Sequence, residues 1–262
     1  MKIEGVILDW AGTTVDFGCM APVKAFMDSF AVNGVIVTEE ETRKPMGMLK
    51  RDHIQTMLSM ERIAAEWQRV YARPWQPQDI DSIYSSFEPE LLDTLAEYTK
   101  VKPGVLETAV MLREQGVKIG STTGYTDKMM EIVVKTAAEQ MYKPDCWISP
   151  DATKGMGRPY PYMIFQNMME LKLADVRQVV KVGDTVSDIA EGNAAGVWSV
   201  GVIDGSSVMG LDKENFEGLT EYEKDERRDV VRQVFLQAGA DFVITDMTEL
   251  PVVIQKIQQT NG

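Results

Sequence analysis

Six short runs rich in β-branched and other apolar residues, at 3–8, 117–122, 146–149, 179–182, 197–203 and 242–245, set the strongest limit on how this chain can fold. Each has the length of a buried strand, and helical periodicity fills most of the intervals between them. The pattern predicts an α/β fold built on a mainly parallel, doubly wound sheet. In such sheets ligands gather beyond the carboxyl ends of the strands. Asp9, Thr122, Thr123 and Asp184 all fall at predicted strand ends, which puts them on the same edge.

The interval from about 17 to 100 breaks the rhythm. It holds no convincing strand and several helical patterns. One spans 22–33 with Val23, Phe26, Met27 and Phe30 at helical spacing, Pro22 at its start and Gly34 after its end. A capping box opens another at Thr38 and Glu41, Pro45 and Gly47 interrupt it, and further helices fit 61–72 and 80–98. Lys102-Pro103-Gly104 marks the return to the sheet. The reading is a catalytic core of 1–17 and 101–262 with an all-helical cap of 18–100 inserted after the first strand. Leaving just after Asp9, the insert sits over the edge to which Asp9 points.

The chain has 262 residues and a formal net charge of -13, from 27 basic and 40 acidic residues. That balance argues against nucleic acid or an anionic membrane as partner, since both reward a basic face. An anionic substrate must then be held by local cations or a metal. The first apolar run is too short for a signal peptide and no later segment has the length of a membrane-spanning helix, so a cytoplasmic protein is expected. Two cysteines, Cys19 and Cys146, give no disulfide framework.

Four motifs carry chemistry. Asp9 ends an apolar strand before small hydroxyl residues, although an Asp there more often caps a turn. The run 120–126, G-S-T-T-G-Y-T, offers Thr123, the Gly124 backbone and helix N-terminal amides to a phosphoryl oxygen. Asp184 and Asp188 stand four apart in K-V-G-D-T-V-S-D, 181–188, and can serve one hard cation directly or through water. Arg158 lies between glycine and proline in G-R-P-Y-P, 157–161, suited to fixing a phosphate oxygen.

In this order the four motifs resemble the haloacid dehalogenase superfamily, a Rossmann-like core with an optional cap inserted after the first strand. The resemblance implies Asp9 as a nucleophile that becomes an aspartyl-phosphate and Thr123 as a phosphoryl contact. It also implies Arg158 in place of the superfamily's usual lysine, and Mg2+ held by Asp9, the Ala11 carbonyl and Asp184 with Asp188 in support. One position departs. Most phosphatases of the superfamily carry a general acid where this chain has Ala11, which argues against an ordinary ester phosphatase.

The insert supplies a different group. K-P-M-G-M-L-K, 44–50, ends on Lys50, three residues before the single histidine, His53, and hence on its helical face. An isolated lysine is usually a solvated surface residue. An amine that forms an imine with a carbonyl substrate is the sharper reading. Breaking a phosphorus–carbon bond beside an aldehyde needs an electron sink rather than an acid for a leaving oxygen, and an imine is such a sink. With these motifs the chain resembles the phosphonatase family of the superfamily. That resemblance implies a small-molecule phosphonate substrate, Lys50 as the Schiff-base residue, His53, Cys19, Tyr125 and Met46 around it, a homodimer through cap helices, and a role in 2-aminoethylphosphonate degradation. The competing readings are a magnesium-dependent sugar-phosphate phosphatase or phosphomutase, which needs an acid at position 11, and a phosphate-binding module without catalysis.

Overall fold

The computed structural model describes residues 2–260. Five strands, β1 (Gly5–Leu8), β2 (Lys118–Ser121), β3 (Val179–Gly183), β4 (Trp198–Val202) and β5 (Phe242–Ile244), form one sheet in the order β2-β1-β3-β4-β5. All pairings are parallel. The chain goes from β1 to β2 on one side and then crosses to β3 on the other, so a crevice opens at the carboxyl end of β1. Leu8 is level with Ser121 and with Val182, which brings Asp9, Thr122 and Asp184 to the same edge.

One predicted strand is corrected. The run 146–149 forms a single bridge, Ile148 to Thr122. Asp145 and Ile148 donate to the carbonyls of Ile119 and Ser121, so three residues span what a regular parallel strand covers in two. Pro150 then opens a 3-10 turn, Pro150–Thr153, and ends the pairing.

Between β1 and β2, residues 20–98 contain helices α1 (Met20–Val32), α2 (Glu39–Arg43), α3 (Lys50–Leu58), α4 (Glu61–Tyr71) and α5 (Pro77–Tyr98), and no strand among the described residues. The Thr38–Glu41 capping box opens α2 as its sequence predicts. α1 starts two residues earlier than its periodicity suggests, because the Asp16 carboxylate accepts from the N–H groups of Met20 and Ala21. The remaining helices are α6 (Val105–Glu114), α7 (Asp127–Glu139), α8 (Tyr162–Glu170), α9 (Val186–Ala195), α10 (Lys213–Glu217), α11 (Glu221–Gln237) and α12 (Leu250–Thr260).

A single apolar cluster runs from Phe30, Phe26 and Phe87 in the helical stretch, through Tyr125 and Met129, into Leu8 and Val182 of the sheet. Burial of these large side chains, at roughly 1.5–3 kcal/mol each, holds the helices against the edge that carries Asp9. No helix among the described residues is long and apolar enough to cross a membrane.

Candidate active site

The turn after β1 is wound on one carbonyl. The Trp10 oxygen accepts from the N–H groups of Thr13, Thr14 and Val15, while the Thr14 hydroxyl donates to the Asp9 carbonyl at 2.9 Å. Gly12 has φ +87°, and a side chain there would collide with the Asp184 carboxylate. Lys102, buried where the helical stretch rejoins the sheet, donates to the carbonyls of Gly12 and Asp204. The Asp9 backbone is therefore fixed from both sides, and the residue is 4% exposed.

Arg158 is buried, not a surface charge. Its Nη2 lies 2.6 Å from Asp9 Oδ1 and 3.1 Å from Asp188 Oδ1, and its Nε donates to Glu191 Oε2 at 2.9 Å. Lys181, fully enclosed in β3, lies 2.8 Å from Asp188 Oδ1 and 3.3 Å from Glu191 Oε2. Burial raises the Asp9 pKa, and the Arg158 guanidinium opposes that rise. Burial also works against charge on Asp188, but Arg158 and Lys181 outweigh it and hold its pKa below the ordinary value. Asp188 is thus committed to these two cations and to the N-cap of α9, where it accepts from the Thr185 hydroxyl at 2.6 Å.

Asp9, Asp184 and Asp188 bring oxygens within 4.8 Å of one another. Asp184 accepts from the Thr13 hydroxyl at 3.2 Å and the Ser207 N–H at 2.7 Å. Burial, with Asp9 and Asp188 close by, pushes its pKa well up. The four buried carboxylates Asp9, Asp184, Asp188 and Glu191 outnumber the buried cations Arg158, Lys181 and Lys102 around them, an excess of negative charge that a divalent cation would offset. Hard oxygen donors with a glycine, Gly12, clearing the space fit Mg2+.

The other wall is apolar. Lys50, the first residue of α3, is 3% exposed, its Nζ 4.8 Å from the Tyr125 ring centroid and 5.8 Å from that of Phe26. Desolvation lowers its pKa to about 8, opposed by the charges of Cys19 and Asp9. Lys50, Asp9, Ala11, Cys19, Met46, Thr123, Gly124, Tyr125, Arg158 and Asp184 line one cavity, whose open centre is about 20 Å³. Gly47 and Gly124 close the seam: a side chain on Gly124 would strike the carbonyls of Gly47 and Met48.

A family model described as haloacid dehalogenase-like hydrolase matches residues 3–196. Phosphonoacetaldehyde hydrolases of Lysinibacillus sphaericus and Bacillus cereus are 52% and 50% identical to this chain over 99% of its length, covering 96% and 98% of theirs. This chain belongs to the phosphonoacetaldehyde hydrolase family. It is a hydrolase of the haloacid dehalogenase-like class. A crystal structure of a phosphonoacetaldehyde hydrolase-like protein from Oleispira antarctica superimposes with a TM-score of 0.95 at 38% identity, over 99% of this chain and 94% of the other. A β-phosphoglucomutase from Clostridium difficile, at TM-score 0.68 and 13% identity over 98% of both chains, shares the fold.

The phosphonoacetaldehyde hydrolase fold thus gathers nearly every residue singled out from the sequence. Thr123 Oγ1 accepts from the Tyr125 N–H at 3.0 Å, which leaves its proton for a ligand. His53 is the exception. It stacks on Phe26 at 3.8 Å, behind the cavity lining, and its Nε2 meets the Thr42 carbonyl at 2.9 Å. A carbonyl only accepts, so Nε2 carries the proton, and burial with Lys50 nearby pushes the ring pKa well down. Lys181 and Glu191 were missed as site residues. A lone lysine in the apolar run V-V-K-V-G was the available signal, because lysine is almost never fully buried unless paired.

Proposed function

We propose that this enzyme hydrolyses the phosphorus–carbon bond of phosphonoacetaldehyde, giving acetaldehyde and phosphate, through an imine on Lys50 and an aspartyl-phosphate on Asp9. One observation carries the reading: a buried amine and a buried carboxylate line the same cavity as Arg158, while position 11 offers only Ala11.

Neutral Lys50 Nζ adds to the aldehyde carbon, and loss of water leaves a protonated imine. A carboxylate oxygen of Asp9 attacks phosphorus; the phosphorus–carbon bond breaks, and its electron pair forms the carbon–carbon double bond of an enamine. Protonation of the enamine carbon and hydrolysis of the resulting iminium release acetaldehyde and return the amine. A second water cleaves the aspartyl-phosphate. Arg158 and the Thr123 hydroxyl hold phosphonate oxygens, and the apolar wall of Phe26 and Tyr125 makes the amine easier to deprotonate than a solvated lysine. Bound by Asp9, Asp184 and the Ala11 carbonyl, Mg2+ would neutralise charge as one anion approaches another. Residues 18–100 act as a cap over this edge. The enzyme works in the cytoplasm in 2-aminoethylphosphonate degradation, as a homodimer joined through cap helices; the exposed Val32 and Ile36 at the end of α1 support that surface.

The test is mass spectrometry after incubation with phosphonoacetaldehyde, Mg2+ and borohydride. A reduced two-carbon adduct on Lys50 is expected. Phosphate release without any adduct would overturn the amine route and favour a phosphatase-like reaction.

A further inference from the structure

Arg158 reaches Asp9 through one end of its guanidinium only, so something must fix the plane of the group. The Thr122 hydroxyl accepts from Arg158 Nη2 at 3.0 Å and from Lys181 Nζ at 2.8 Å, and donates to Glu191 Oε2 at 2.9 Å. A hydroxyl has one proton and two lone pairs, and all three are used here. Glu191 Oε2 in turn takes the Arg158 Nε–H at 2.9 Å, and Lys181 spans Asp188 and Glu191. Glu191, Lys181, Asp188 and Thr122 have no appreciable exposure, and neither Lys181 nor Glu191 lines the cavity.

From this we infer that Glu191 and Lys181 are positioning residues for the phosphonate site: Glu191 orients Arg158 through Nε, and Lys181 holds Glu191 and Asp188 so that Arg158 Nη2 stays turned to Asp9. The inference rests on the proposed role of Arg158 as a phosphonate ligand. Without Lys181, two carboxylates compete for the one guanidinium and draw it away from Asp9. Without the charge on Glu191, the Nε contact weakens, and the guanidinium is left to its Nη2 partners and to the long 3.4 Å contact of Nη1 with the Gly47 carbonyl, which hold its plane less firmly. A lysine at position 158 would have no Nε–H fork to be held in this way.

The test separates the two walls of the cavity. Binding of inorganic phosphate with Mg2+ is measured by calorimetry, and Lys50 is trapped with acetaldehyde and borohydride, an aldehyde that carries no phosphorus. In Glu191→Gln, and independently in Lys181→Met, phosphate affinity is expected to fall roughly 10–100-fold, as for hydrogen bonds to charged groups, with trapping within about twofold of the wild type. In an Arg158→Lys background, Glu191→Gln is expected to add less than about threefold, because the Nε contact is already gone. Unchanged phosphate affinity, equal loss of trapping, or an undiminished effect in the Arg158→Lys background would each overturn the inference. Failure of the wild-type enzyme to trap an aldehyde on Lys50 would instead count against the proposed reaction.

Discussion

The two walls of the cavity differ in kind. At the sheet edge Asp9 sits among Arg158, Lys181, Asp184, Asp188 and Glu191, joined by ion pairs and hydrogen bonds. Across from it, Lys50 meets the faces of Tyr125 and Phe26 and has no carboxylate within ion-pair distance among the described residues. The contrast teaches that burial serves opposite ends. In the proposed reaction, burial beside Asp9 strengthens interactions between the charges there and charge developing on phosphorus. Around Lys50 it withholds solvation from the ammonium and so favours the neutral amine that the proposed imine route needs.

Five measurements would break or sharpen this division. The largest effect is expected from Asp9→Asn, which should lower phosphate release by at least ~10⁴-fold while leaving aldehyde trapping on Lys50 intact. A parallel loss of trapping would mean that the walls do not act separately. Lys50→Arg keeps a cation but cannot form the imine, and phosphate release should drop by roughly 10³-fold, as for loss of covalent catalysis. Chelation should cost about 10²-fold or more in turnover, restored by Mg2+, and should spare acetaldehyde trapping.

Next comes pH. With the folded-state pKa near 8, the trapping rate should rise with pH and level off above about 8. An inflection at the ordinary lysine value of ~10.4 would remove the argument for a dry wall. The smallest effect is on stability. A lysine pKa depressed from 10.5 to about 8 means that the unfolded chain binds the extra proton between those values. The cost, at most about 3 kcal/mol, is therefore complete below pH 8 and fades as pH rises through 10.5. Lys50→Met should then raise unfolding stability at pH 7 by ~1–3 kcal/mol, and a destabilised variant would show that the amine is not strained there.

Sequence alone revealed the parts of the site whose signals are local. Asp9, Thr123 and Asp184 each end a strand, and strand ends of a parallel sheet share an edge whatever the rest of the chain does. Lys50 stood out through its short motif and through the absence of an acid at Ala11. What stayed hidden depends on pairs far apart in the chain. Glu191 looks like an ordinary helix residue until Arg158 is brought against it, and nothing local to Lys181 announces Thr122, which arrives from the end of β2, beyond β1. His53 shares a helix face with Lys50 and lies near it, but its Nε2 is taken by the Thr42 carbonyl and the ring does not line the cavity, a contact with α2 that helical spacing does not encode. The run 146–149 has strand composition, but its three-residue spacing along β2 depends on tertiary geometry that periodicity does not encode.

An open centre of about 20 Å³ has room for a water and little more. Entry of a phosphonate bearing an aldehyde, the proposed substrate, would require Gly47 and Gly124 to separate, so the proposed cycle includes a mechanical step in which that seam parts and rejoins. On that reading, slowing the seam would slow turnover independently of bond chemistry, and solvent viscosity becomes a kinetic variable.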